Sequence, residues 1–221
     1  MQYTNRDIET IISNIHMWYD REHPKLVLFA VNASNGGQIR AASGQFIEKF
    51  LQNIFDEINN RFNITIESKI GSSDFLTKKI DYNGKIYELN HIQVDRHVSY
   101  NSKRIAFIEN KTYLDSCYWD RALADFRKII SALKQNGLKP EDMEYIVFSG
   151  QDSLDNDTKL AYEGDFFNDS KIFTTNNHGI KPHVFCFLEQ KRNSSRPMYR
   201  VKYKIQDAVL QEFIKLILHL V

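Results

Sequence analysis

Apolar positions recur along this chain with two periods, and the switches between them predict its elements. From residue 4 to 20 the spacing is helical: Ile8, Ile11, Ile12, Ile15 and Trp18 form one stripe, which Thr4 or Asn5 can cap. His23-Pro24 is expected to end that helix. The apolar run Lys25 to Val31 then reads as a short strand, with further helix as the alternative. A second helical stripe runs over 42–60 through Phe46, Ile47, Phe50, Leu51, Ile54, Phe55 and Ile58. A third, over about 116–135, carries Trp119, Leu123, Phe126, Ile129, Ile130 and Leu133, with Gly137 and Pro140 as stops. An apolar helix is expected over about 206–220. β-rich runs predict strands at 63–69, 145–148, 183–190 and 198–204, and a hairpin of 78–82 with 85–89 about Asn83-Gly84.

The most informative pattern lies between residues 92 and 113. Ile92, Val94, Val98 and Tyr100 precede the polar turn Asn101-Ser102-Lys103, and Ile105, Phe107, Ile108, Thr112 and Tyr113 follow it. A three-residue hairpin loop over that turn pairs Tyr100 with Arg104, which sets Asp95 opposite Glu109 and Gln93 opposite Lys111. Side chains alternate faces, so Glu109 and Lys111 project together. Directly opposed residues have Cβ atoms roughly 4.5–5.5 Å apart, and like charges so placed repel. The two carboxylates therefore need a cation, a shared proton or open water. Ile105 to Ile108 is apolar on both faces, as in a strand central to a sheet. A Glu and a Lys ending such a strand form either a surface ion pair or a site. Asp81, in the earlier hairpin, is the rival first carboxylate, but only the hairpin of Asp95 brings an acid across from Glu109. The strand, crossover helix and strand from 105 to 148 imply a parallel pair. The expected fold class is α/β, more closely α+β with a mixed sheet.

Asp95, a gap of thirteen residues, then Glu109-Asn110-Lys111 after an apolar strand resembles the PD-(D/E)XK nuclease signature, with Val94 where that family often has Pro. Residues 41–50 are similar to the first core helix of type II restriction endonucleases, with Glu48 at the matching glutamate position. The resemblance covers roughly residues 40–150. It implies a restriction-endonuclease-like core, a central mixed sheet flanked by helices, within one domain over 1–221. It also implies that Asp95 and Glu109, with the Asn110 carbonyl, hold Mg²⁺ (Mn²⁺ as a substitute), that Lys111 assists the attacking water, and that Glu48 adds to the metal site. The plainer reading of Glu48 is a solvated partner for a nearby Lys.

Bulk properties narrow this further. The 221 residues fit one domain, and 42% hydrophobic with 13% aromatic residues describe a globular chain. Cys117 and Cys186 are far apart, which disfavours a disulfide framework or zinc site and suits a reducing, cytoplasmic setting. The first residues lack a signal-peptide apolar region, and no run approaches the roughly 18 apolar residues of a membrane span. The net charge of +1 gives no global basic signal. Local charge is uneven: residues 141–169 hold nine acids and one Lys, whereas 181–204 hold seven Lys or Arg and one Glu.

Three polar stretches have the composition of DNA-contacting loops. Residues 32–40 are free of acids and offer Asn35, Gly36, Gly37, Gln38 and Arg40, where Gly permits close backbone approach and the amides supply donors. Asn176, Asn177, His178 and Lys181 suit base edges or phosphates, and Lys191, Arg192, Asn193 and Arg196 form a basic turn suited to phosphates. Each is equally an ordinary solvent loop. Asp152, Asp155 and Asp157 lack the flanks of a calcium loop, and Ser43, Ser149 and Cys117 lack a hydrolase elbow. The expected function is Mg²⁺-dependent, sequence-specific cleavage of double-stranded DNA by a homodimer of the type II restriction kind. The alternatives are a structure-selective repair or recombination nuclease on the same core and a non-catalytic DNA-binding protein.

Overall fold

A computed structural model describes residues 2–70, 78–89, 94–154, 182–192 and 194–221. Helix α1 (Asn5–Asn32) opens with a capping box between Thr4 and Asp7 and runs on through His23-Pro24. The expected strand at 25–31 is therefore helix. A proline inside a helix costs about 3 kcal/mol or more, but tertiary contacts fix the turns around Pro24. His23, buried, donates from Nε2 to the Met198 carbonyl at 2.7 Å, and Tyr19 and Leu26 are buried in the same core as Phe46. Helix α2 (Gly36–Phe62) starts six residues before the expected 42. Asn35 Oδ1 accepts from the Gln38 N–H at 3.0 Å, and Gln38 Oε1 accepts from the Ser34 N–H at 3.0 Å. This reciprocal cap turns most of the expected 32–40 loop into helix. Asn63, expected in a strand, instead ends α2 with φ +50°.

Strands β1 (Ile66–Ile70), β4 (Arg96–Tyr100), β5 (Lys103–Leu114), β6 (Glu144–Asp152) and β7 (His183–Cys186) form one sheet in the order β1-β4-β5-β6-β7. The β1–β4 and β4–β5 pairs are antiparallel, and β5–β6 and β6–β7 are parallel. Strands β2 (Lys78–Tyr82) and β3 (Lys85–Leu89) make a separate hairpin, as expected about Asn83-Gly84. Helix α3 (Ser116–Gln135) connects β5 to β6 by way of a short 3₁₀ turn at Pro140–Asp142, and helix α4 (Asp207–His219) ends the chain. One core joins α1, α2 and α4 to one face of the sheet through Ile108, Ile146 and Phe148. A second joins α3 to the other face through Phe107, Tyr145 and Val147. The result is an α+β architecture with a mixed five-stranded sheet between helices, consistent with a restriction-endonuclease-like core.

Two expected strands are cut short or missing. Strand β7 stops at Cys186, and 198–204 is not a strand. Pro197 starts a turn there, its carbonyl accepting from the Arg200 and Val201 N–H groups. The excursion over 189–204 closes at its base through the Leu188–Ile205 bridge.

The β4–β5 turn has two residues rather than three. Asn101 and Ser102 both take positive φ, and Tyr100 pairs with Lys103. A bulge at Val98/Ser99 then restores the missing residue, so Arg96 pairs with Ile108. The two departures cancel, and the register carried one residue beyond β4 sets Asp95 opposite Glu109.

Candidate active site

Two strand ends place the carboxylates. Asp95 immediately precedes β4, and its Oδ2 accepts from the Asn110 N–H at 2.7 Å. Glu109 sits where β5 leaves its buried centre. Lys111, on the same face, donates from Nζ to Glu109 Oε2 at 2.6 Å and to Asp95 Oδ2 at 3.3 Å. One ammonium thus answers the repulsion between two opposed carboxylates. Exposure grades across the trio: the Asp95 side chain is 38% accessible, Lys111 15% and Glu109 5%.

That gradient sets the electrostatics. Burial raises the Glu109 carboxyl to about 7, with Asp95 and Asp125 pushing the same way and Lys111 pulling back. Burial alone would lower Lys111, but Glu109 and Asp95 outweigh it and hold the ammonium above its ordinary value. Lys111 is therefore a resident cation, and Glu109 is the group whose charge depends on what else enters the site.

The donor set fits a hard divalent cation. Asp95 and Glu109 supply carboxylate oxygens. The Asn110 N–H points at Asp95, and the carbonyl of a strand residue lies along the same edge as its N–H. Among the described residues no group of three or more His, Cys, Asp or Glu side chains is placed to hold a metal. Mg²⁺ keeps several waters and takes phosphate oxygens beside one or two carboxylates, so two carboxylates and a carbonyl would be an adequate protein share.

Asp95 and Lys111 open onto a cleft of about 520 Å³ at the C-terminal ends of β5 and β6, lined also by Arg40, Gln151 and Arg192 among others, with Glu109 buried behind them. The first turns of α2 contribute Gly36 and Arg40, and α2 has no acid in its first turn. Its N-terminus therefore adds partial positive charge to that wall. The remaining expected residues scatter. Asn35 and Gln38 spend their side chains on the α2 cap, and Gly37 lies in its first turn. Lys191 Nζ reaches the Leu154 carbonyl at 3.1 Å, and Arg196 is exposed, its carbonyl accepting from Tyr203. Asn176, Asn177, His178, Lys181 and Asn193 lie outside the described residues.

Glu48 does not join the trio. No hydrogen bond or ion pair joins it to them among the described residues: its carbonyl accepts from Arg96 Nη2 at 2.8 Å, and its carboxylate favours the charge of that same guanidinium. Arg96, buried at the position after Asp95, also bonds Gln52 and Ser68. It ties α2 and β1 to the strand that presents Asp95, a role the sequence did not announce. Asp81, the rival carboxylate, accepts from the Gly84 N–H at 2.9 Å within its own hairpin turn. Tyr113 and Gln151 also reach the cleft unannounced. Face alternation after Lys111 could have found Tyr113, whereas Gln151 required the parallel register with β6.

No family model matches the chain, and no curated protein does. Among the described residues no helix is long and apolar enough to cross a membrane. Among solved structures the chain is similar to a chain of the "native BbvCI A2B2 tetramer at low resolution", at 11% identity over 96% of this chain and 86% of that one, with a TM-score of 0.37.

Proposed function

We propose that this protein is a Mg²⁺-dependent nuclease that hydrolyses phosphodiester bonds in double-stranded DNA, acting at specific sequences as a homodimer in the manner of type II restriction enzymes. The observation that carries the reading is the convergence of Asp95, Glu109 and Lys111 at the edge of an open cleft whose other charged walls include Arg40 and Arg192. Polyanionic DNA suits those walls. Asp95, Glu109 and the Asn110 carbonyl would hold the cation, which when bound supplies Lewis acidity and lowers the pKa of water. Lys111 stays protonated between the carboxylates and donates hydrogen bonds to the attacking water and to the charge that builds on the phosphoryl oxygens. Burial of Glu109 keeps the field of that ammonium strong, because little water screens it.

The test is incubation of purified protein with mixed plasmid DNA and Mg²⁺, followed by sequencing of the ends. Discrete fragments with a shared end sequence are expected. Irregular products would instead support a structure-selective nuclease on the same core. Asp95→Ala and Glu109→Ala should each cut at least ~10²–10³-fold more slowly, the scale of losing a preorganised charge-stabilising group, while specific DNA binding persists. Wild-type rates from either variant refute the assignment.

A further inference from the structure

Arg192 is exposed, yet both its side chain and its backbone are held in place. Its guanidinium carbon lies 3.5 Å from the centre of the Tyr113 ring. Its backbone N–H donates to the Asp152 carbonyl at 2.8 Å, at the end of β6. The preceding Lys191 is tied to the Leu154 carbonyl. Tyr113 is itself braced edge-on by Tyr118 in the first turn of α3, with ring centres 5.2 Å apart. Stacking occupies the flat face of the guanidinium and leaves its in-plane N–H donors for an acceptor.

Position gives that restraint a purpose. Tyr113 lies two residues beyond Lys111 on the same face of β5, and Lys111, Tyr113 and Arg192 all line the cleft. Gln151, paired with Tyr113 across β5–β6, lines it as well. Gln151 is 2% exposed, and its Nε2 meets no acceptor among the described residues. A buried donor and a stacked guanidinium thus share one wall beside the trio.

We propose that Arg192 is a catalytic residue that grips the non-bridging oxygens of the scissile phosphate beside Lys111, with Tyr113 as its positioning residue; this rests on the nuclease reading. In that reaction the water oxygen bonds to phosphorus and gives up a proton to solvent as the P–O3′ bond breaks, and O3′ leaves and takes up a proton from solvent. The products are a 5′-phosphate and a 3′-hydroxyl. Arg192 neither gives nor accepts a proton. Its planar fork offers two parallel hydrogen bonds to the phosphoryl oxygens, which a lysine cannot reproduce.

The experiment compares Arg192→Ala, Arg192→Lys, Tyr113→Phe and Tyr113→Leu by single-turnover cleavage of plasmid-derived duplex with Mg²⁺, with thermal melts to verify folding. Arg192→Ala should slow cleavage on the order of 10²–10³-fold, and Arg192→Lys should recover less than about tenfold of that loss. Tyr113→Phe keeps the ring and should stay within about threefold of wild type, whereas Tyr113→Leu should lose about tenfold. An Arg192→Ala rate within about threefold of wild type overturns the proposal, and equal rates for the two Tyr113 variants overturn the positioning role. DNA binding without Mg²⁺, in an Asp95→Ala background, separates this proposal from the nuclease reading. Arg192→Ala should reduce the slope of log K against log salt by about one. An unchanged slope overturns the contact whether or not the protein cuts. The expected slope change on Arg192→Ala, together with a wild-type protein that never cuts, overturns the nuclease reading and the catalytic role with it.

Discussion

At the scale of single residues, the site turns on how deeply Glu109 is buried. A carboxyl raised from 4.5 to about 7 binds its proton more tightly in the folded than in the unfolded chain. Its contribution to stability is therefore greatest at low pH and declines as pH rises from about 4.5 toward 7. His23 shifts in the other direction: burial lowers it, so it contributes an opposing slope as the unfolded chain takes up protons below its ordinary value. A difference between two proteins cancels His23. The thermal midpoint of metal-free Glu109→Gln, relative to wild type, should rise as pH is raised from about 5 to about 8. A difference that stays flat across that window would show that Glu109 titrates at its ordinary value. The residue types at 95, 109 and 111 and their shared face were legible from alternation and spacing alone. The depth of Glu109 was not, because it depends on how α3 packs over that face of β5. Arg96 was equally hidden, since a charged residue in a strand gives no sign of which helix will satisfy it.

At the scale of elements, the hairpin carrying Asp95 shows how a correct register can arise from an incorrect turn. Strand alternation set which faces of the two strands must pair, and over 96–100 and 103–108 that constraint survived a turn of two residues because the bulge at Val98/Ser99 took up the difference. The expected helix end at Pro24 failed for a different reason. Local backbone cost was outweighed by the burial of Tyr19, His23 and Leu26, contacts made with residues distant in sequence. Strand β6 adds a requirement that no periodicity reveals. A Cβ at Gly150 would lie 2.6 Å from the Thr112 carbonyl oxygen and 3.2 Å from Ile47 Cδ1. The first is backbone in β5, one residue past Lys111, and cannot swing aside. Gly150→Ala should destabilise the protein by about 1–3 kcal/mol, the usual cost of overpacking. Because the strain falls on β5 beside the site, cleavage should drop as well, in preparations still fully folded by circular dichroism. Denaturant titration and single-turnover rates together check this, and a variant as stable and active as wild type would mean that β5 and β6 do not approach so closely.

At the scale of the molecule, the basic residues of the cleft wall gather at one end of the sheet: the segment bearing Lys191 and Arg192 is fastened to the end of β6, and Arg192 and Arg40 both line the cleft. A net charge of +1 gives little overall attraction, so this local charge is what would orient the cleft toward a polyanion. Asp95, Glu109 and Lys111 form one site per chain, and on the proposed function one such site cuts one strand. Cutting both strands at a symmetric sequence then takes two chains related by a two-fold axis. Mixing makes that requirement visible. Wild type and Asp95→Ala, combined in equal amounts and allowed to exchange subunits, should convert supercoiled plasmid to nicked circles that persist. Wild type alone at half the concentration should go on to linear DNA. If the mixture gives the same ratio of nicked to linear product as diluted wild type, the chains work independently, and a homodimer acting on paired half-sites is not how this cleft engages DNA.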